Sequence, residues 1–342
     1  MAAHLIDSNF IRWASSEYRA AHQDAVDSLE VLVDQIVDNP YLSFVHWLSQ
    51  FTLPWSLLFL GEWGEALRIL AAEITLADKN GDRYRGQTLH LYRAWVHLHA
   101  MDFPGVLEIC ESILPSLDEP ERRPWRRFCL ALTGSAEAAS GRYEAAADHL
   151  TTARIEMDGR PVIHDWYCRM LLEQALTDAW LGKGDLKQAR AEAERFVAAT
   201  LTTAERAWQA LAWEANARVA MAEGDRGRAR TCVDKAVAAM EGFEVPLAAW
   251  RIHASAAELE GRLGNQRAAG RHRSLGRSTV LALANSLGDY ERLRKTFLAA
   301  PPVRAIIDPG GGTRELSRSR SARRRWSPSA GAGGPAIFPQ GG

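Results

Sequence analysis

A six-residue pattern, small–x–bulky–x–x–small, recurs six times along the chain. It reads Gly61-Glu62-Trp63-Gly64-Glu65-Ala66, Met101-Asp102-Phe103-Pro104-Gly105-Val106 and Gly141-Arg142-Tyr143-Glu144-Ala145-Ala146 in the first half. It continues as Gly184-Asp185-Leu186-Lys187-Gln188-Ala189, Gly224-Asp225-Arg226-Gly227-Arg228-Ala229 and Gly264-Asn265-Gln266-Arg267-Ala268-Ala269. The first residues are 40, 40, 43, 40 and 40 positions apart. A fixed period in this range marks a stack of equivalent supersecondary units rather than a single layered core.

The pattern suits a tight turn between two antiparallel helices. Glycine takes the positive φ at which the first helix stops. The bulky residue covers the turn, and the last small residue lets the helices approach. Another small residue is then required where the helices cross, about two turns earlier. Seven positions before each turn stand Pro54, Ala94, Gly134, Thr177, Ala217 and Ala257. Four positions after each motif stand Leu70, Cys110, Leu150, Ala193, Val233 and Arg273, apolar in all but the last.

Between turns the apolar periodicity is helical. First helices are expected near 42–60, 84–100, 122–139, 163–181, 204–222 and 246–263. Second helices are expected near 64–79, 104–117, 144–157, 187–199, 227–241 and 267–287. Breakers separate the pairs at Asn80-Gly81-Asp82, Pro115 with Pro120, Asp158-Gly159-Arg160-Pro161 and Glu244-Val245-Pro246. No segment alternates with period two. Residues 1–40 read as a degenerate helical cap whose helix pair bends near Ala20–Gln23 and ends at Asn39-Pro40. A closing helix is expected near Ser286–Leu298, stopped by Ala299-Ala300-Pro301-Pro302, within a terminal segment 288–307.

Composition agrees with this division. The 342 residues carry a net charge of −1, but residues 308–342 hold six Arg against two acids and leave residues 1–307 at −5. That tail is rich in Gly, Ser, Pro and Arg, cannot bury a core, and is expected to be disordered. Its arginines could touch nucleic acid only weakly. Cys110, Cys129, Cys168 and Cys232 are scattered without a CxxC pair, which suits reduced thiols in the cytoplasm rather than a disulfide framework or zinc site. MAAHLIDSNF shows no secretory leader pattern, and the apolar run Phe51–Leu60 is too short to span a membrane.

The Gly–x–aromatic–x–x–Ala turn with small residues at both crossings resembles the tetratricopeptide repeat, stretched from about 34 residues to about 40 by longer helices. The likeness covers about residues 41–287. Met101 departs from it at the glycine, and Arg226 and Gln266 depart from it at the aromatic, so the last two repeats are the weakest copies. The 40-residue form is similar to the repeat region at the C-terminal end of large bacterial ATPase and nucleotide-cyclase signalling regulators. The ending Tyr290–Ile307 is similar to the helix that closes such regions. These resemblances imply an all-α, right-handed α-solenoid of about six helix pairs. They further imply a non-catalytic regulatory scaffold that binds a peptide or protein on its concave face, with catalytic domains elsewhere or missing.

No GxxxxGK[ST], HExxH, GxSxG or strand-flanked GxGxxG occurs, and Gly182-Lys183-Gly184 is only a turn. No cofactor is therefore expected. His90, His97 and His99 share one helix, but without an acid or Cys at ligand spacing they read as packing residues, as does His253. Trp55 and Trp95 sit six residues before their turns, a place that faces the concave surface in this type of repeat. They form either an aromatic platform for a peptide or bulk that fills an Ala-rich interior. The same place holds Asp178, Arg218 and Glu258 in later repeats, with Gln174, Glu214 and Arg251 alongside. Two readings stand for this set: an ion-pair ladder between stacked repeats, or a charged half-groove that reads a partner's polar groups.

Overall fold

The computed structural model describes residues 2–32, 40–119, 122–162 and 165–308. Among them run sixteen α-helices and one 3-10 turn, with no strand. The basic tail beyond Asp308, the breakers Asn39 and Pro120, and the expected start of the fourth pair at 163 lie outside the described residues.

Two helices come first, α1 (Ala2–Ala14) and α2 (Tyr18–Leu32). Six pairs follow: α3 (Pro40–Leu60) with α4 (Trp63–Lys79), α5 (Arg83–His99) with α6 (Phe103–Ile113), and α7 (Arg123–Ala139) with α8 (Tyr143–Gly159). The series continues with α9 (Asp165–Lys183) and α10 (Leu186–Leu201), α11 (Arg206–Glu223) and α12 (Arg226–Met240), and α13 (Pro246–Arg262) and α14 (Gln266–Ser286). The chain is thus the expected all-α solenoid, its helix limits within a few residues of those read from the period.

Each turn has the same backbone. Gly61, Gly141, Gly184, Gly224 and Gly264 have φ between 78° and 83°, and Met101 follows at 62° despite its side chain. The next residue caps the second helix in four of the six turns. Asp102, Asp185, Asp225 and Asn265 each accept from the backbone N–H three positions on. At the crossings the requirement for small residues is literal: a Cβ on Gly134 would strike the side chain of Leu150. Arg226 and Gln266, the substitutes for the aromatic, are exposed. Their repeats still pack closely through Ala217, Ala220, Ala229, Cys232 and Ala256.

The array then curls until its two ends meet. The backbone N–H of Trp63 donates to Ser286 Oγ at 3.2 Å, and the Trp63 ring meets Phe297 edge-on at 5.1 Å. Gly61 and Gly64 leave just enough room for Leu283 and the Ser286 carbonyl of α14. On the other side, Arg19 of α2 forms a two-pronged ion pair with Glu244 at 2.9 and 2.6 Å. The first turn therefore abuts the sixth pair, and the N-terminal helices bridge to the fifth.

Two local expectations are corrected. The bend between α1 and α2 falls at Ser15–Glu17, not Ala20–Gln23, with Ser16 at φ 63°. A tertiary anchor selects that strained site: Ser16 Oγ donates to Glu205 Oε1 at 2.8 Å and accepts from the Arg206 N–H at 2.7 Å. The single closing helix is in fact two, α15 (Glu291–Ala299) and α16 (Pro301–Ile307). The first ends at Ala299 as expected, and Pro301-Pro302 then opens α16, because a helix's first positions need no N–H.

Candidate functional site

Aromatic side chains from the inner helices converge on the axis of the coil. Trp55 of α3 is 4% exposed and meets Trp13 at 5.3 Å, Tyr92 at 5.0 Å and Tyr167 at 4.9 Å. Trp95 of α5 is fully buried against Phe59 at 5.5 Å and Phe128 at 5.2 Å. These rings belong to α1, α3, α5, α7 and α9, so the N-terminal half of the concave space is filled by the protein itself. Trp55 and Trp95 point toward the axis as expected, yet they present no platform to solvent. Of the two readings for them, interior bulk stands and the exposed platform is corrected: closure of the coil buries them.

The rest of the axis is open. A cavity of about 810 Å³ lies among α5, α7, α9, α11, α13 and α16. Gln174, Asp178, Glu214, Arg218, Arg251 and Glu258 all line it, joined by His99, Ser135, Trp250, Ser255 and Arg273. Six of the eight residues singled out in the sequence thus meet around one space, and the two tryptophans lie in the core beside it.

The lining is prearranged. Arg218 donates from Nη2 to Asp178 Oδ1 at 2.6 Å and from Nε to Glu214 Oε1 at 2.9 Å, while Ser255 also donates to Glu214. Burial opposes the charge on Arg218, but the two carboxylates outweigh it and hold its pKa above the ordinary value. The ladder between repeats forms only at its first rung. Glu258 turns instead to Arg262, one helical turn along α13. On the near side, Glu214 lies one helical turn from Arg218 on the same helix and takes its Nε donor.

Arg251 is placed differently. Its guanidinium lies over the Trp250 ring, 4.5 Å from the centroid, and Nη1 donates to the Leu247 carbonyl at 3.1 Å. Burial, offset only in part by Glu214 and Asp178, lowers its pKa to about 10, so it stays charged at neutral pH. His99 is 5% exposed, and neither ring nitrogen has a partner among the described residues. Burial first, and the Arg251 charge second, hold its pKa well below normal, which keeps the imidazole neutral.

The other histidines separate from this site. His97 Nδ1 pairs with Asp102 Oδ2 at 2.8 Å, and His253 faces His272 at 3.2 Å between the ring nitrogens. Among the described residues no three His, Cys, Asp or Glu side chains converge as a metal set. The four cysteines are free and buried, and no described helix is long and apolar enough to cross a membrane.

Sequence reasoning missed His99, Trp250 and the contribution of α16. Ala300, Pro301, Pro302, Ala305 and Ile306 form one wall of the cavity. Gly276 in α14 was the available signal, since a Cβ there would collide with Ile306. A glycine inside a helix costs stability unless something approaches it closely.

No protein-family model matches the sequence, and neither does any curated protein. Two solved structures are similar over most of their length. The crystal structure of the apo form of RapI shares 9% identity, with a TM-score of 0.49 over 95% of this chain and 86% of that one. A tetratricopeptide repeat protein from Parabacteroides merdae ATCC 43184 shares 11% identity, with a TM-score of 0.42 over 90% of this chain and 99% of that one.

Proposed function

We propose that this chain is a non-catalytic interaction scaffold whose recognition site is the axial cavity, where a peptide or a segment of a partner protein inserts. One observation carries the reading. Five successive inner helices each contribute side chains to a single space, and Asp178, Glu214 and Arg218 in it are already fixed in ion pairs. Preorganised polar groups around an apolar hollow suit recognition. They suit catalysis poorly: Asp178 and Glu214 are committed to Arg218, and among the described residues no side chain hydrogen-bonds His99 to orient it. A place in cytoplasmic bacterial signalling, with any ATPase or cyclase module carried elsewhere, follows from the sequence resemblance of the 40-residue repeats and of Tyr290–Ile307.

Selection of a displayed random-peptide library on the purified full chain tests this. Enriched peptides should bind the wild type and lose most affinity for Arg218→Glu and for Ala254→Trp, which fills the cavity. Undiminished binding to Ala254→Trp, or no enrichment at all, would remove the cavity from the function.

A further inference from the structure

Two histidines that the cavity does not use meet between the helices of the sixth pair. His253 of α13 and His272 of α14 face each other through their Nδ1 atoms at 3.2 Å, with ring centroids 5.3 Å apart. Gly276, one turn along α14 from His272, permits this approach. A Cβ there would lie 3.3 Å from the His253 Cβ and would strike Ile306 of α16. We propose that the pair is a two-imidazole site for a divalent transition-metal ion of the copper, nickel and zinc class, with water in the remaining coordination positions. It is separate from the axial cavity, which neither ring lines.

Distance carries the first part of the argument. A metal–imidazole bond is about 2.0–2.1 Å long. Two such nitrogens on one ion therefore lie about 2.9 Å apart at a right angle and about 3.3 Å apart at a tetrahedral angle. The 3.2 Å between His253 and His272 falls within that range, so α13 and α14 need not separate to take an ion. Imidazole nitrogen suits copper, nickel and zinc, whereas magnesium and calcium prefer oxygen.

Protonation carries the second. A ligand imidazole must be neutral. Burial, and then the neighbouring His272, lower the pKa of His253 to about 4. Burial also lowers that of His272; Glu260 acts against the shift, and Arg271 and Arg230 act with it. Both rings are therefore neutral at pH 7. Two neutral rings that face through Nδ1 share one N–H···N bond. Moving that proton to Nε2 of its own ring, a change of tautomer, frees both lone pairs and releases no proton.

The surrounding charge tolerates a cation. Glu260 stands two turns after His253 on the same face of α13, and its Oε1 pairs with Arg230 of α12 at 2.6 Å. Arg230 is thus offset, and of the cations that act on His272 only exposed Arg271 opposes the ion.

The test uses the full chain, purified without a histidine tag, stripped with EDTA and titrated by calorimetry with the chlorides of Cu(II), Ni(II), Zn(II) and Mg(II). One transition-metal ion per chain should bind, copper most tightly, and magnesium should not. The copper electron paramagnetic resonance spectrum should show splitting from two nitrogens. His253→Asn and His272→Asn should each weaken binding tenfold or more and remove one of those nitrogens, while His149→Asn on α8 should change neither. Zinc should raise the melting temperature of the wild type and not of the two variants. Melts without metal establish that the variants fold; if one does not, the wild-type copper spectrum decides. No bound ion, no nitrogen splitting, or binding that survives both substitutions would overturn the proposal and leave the pair as a hydrogen bond between neutral rings.

Discussion

At the scale of single residues, backbone geometry and close contact make separable demands. Gly141 has φ 81° and nothing near its missing side chain, whereas Gly134 lies in a helix directly against Leu150. Gly141→Ala should therefore cost only the left-handed strain, about 1 kcal/mol. Gly134→Val should cost more, about 1–3 kcal/mol, because the helices must part. Urea unfolding of the two variants checks this order, and equal losses would contradict it. Both demands were legible in sequence, since a glycine every forty residues and a small residue seven places before it have few other causes. Glu205 was not legible. It is 1% exposed, accepts from the Ser16 and Tyr18 hydroxyls and from the Trp208 N–H at 2.6 Å, and burial raises its pKa to about 7. Since its unfolded value lies near 4.5, the folded state binds more protons in between, and stability falls as pH rises from 4.5 through 7. Glu205→Gln should remove that decline, which is on the order of 2 kcal/mol. The quantity to measure is the stability difference between wild type and variant from pH 5 to pH 8. Buried Glu173, also raised to about 7, contributes equally to both proteins and drops out. A difference that does not change with pH would show that Glu205 is not the titrating group.

At the scale of elements, the helix pairs followed from the period, and their partners beyond the next repeat did not. Periodicity specifies which face of a helix is buried but not how far the array curls, because curvature accumulates from small rotations at each interface. The N-terminal pair shows the consequence. Trp13 of α1 is 1% exposed and contacts Trp55 and Phe59 of α3 together with Trp166 and Tyr167 of α9. A residue near the start of the chain thus welds the first repeat to the fourth. Trp13→Ala should cost about 3–5 kcal/mol and loosen both repeats, not the N-terminal pair alone. Hydrogen exchange is the suitable measurement: faster exchange confined to α1 and α2 would show that the ring seals only its own element. The tryptophan content carried a hint of this arrangement, since twelve indoles in an Ala-rich chain supply the bulk that fills its interior. The hint becomes specific only once the rings are seen to meet across the axis.

At the scale of the whole molecule, closure decides which surfaces the array offers. An open superhelix would offer a long concave surface. This one fills the N-terminal half of that surface with its own rings and has a cavity beyond them, walled by α16 and lined in part by the paired Asp178, Glu214 and Arg218. Asp178, Arg218 and Glu258 were legible because they occupy one equivalent position in successive repeats, with Gln174, Glu214 and Arg251 alongside. For Trp55 and Trp95 the same rule left platform and interior bulk both open, since equivalence in sequence does not distinguish an open axis from a filled one. The account therefore depends on the contact between the first turn and the sixth pair, where the Trp63 N–H lies 3.2 Å from Ser286 Oγ. Glu62 and Asp289 flank that contact and are exposed, and the four native cysteines are buried. Spin labels on Glu62→Cys and Asp289→Cys can therefore report the separation of the ends with little background. A narrow distance distribution at the short limit of the pulsed dipolar method is the predicted result. A broad distribution, or one centred at the much longer separation of an open coil, would contradict closure and with it the walled axial cavity.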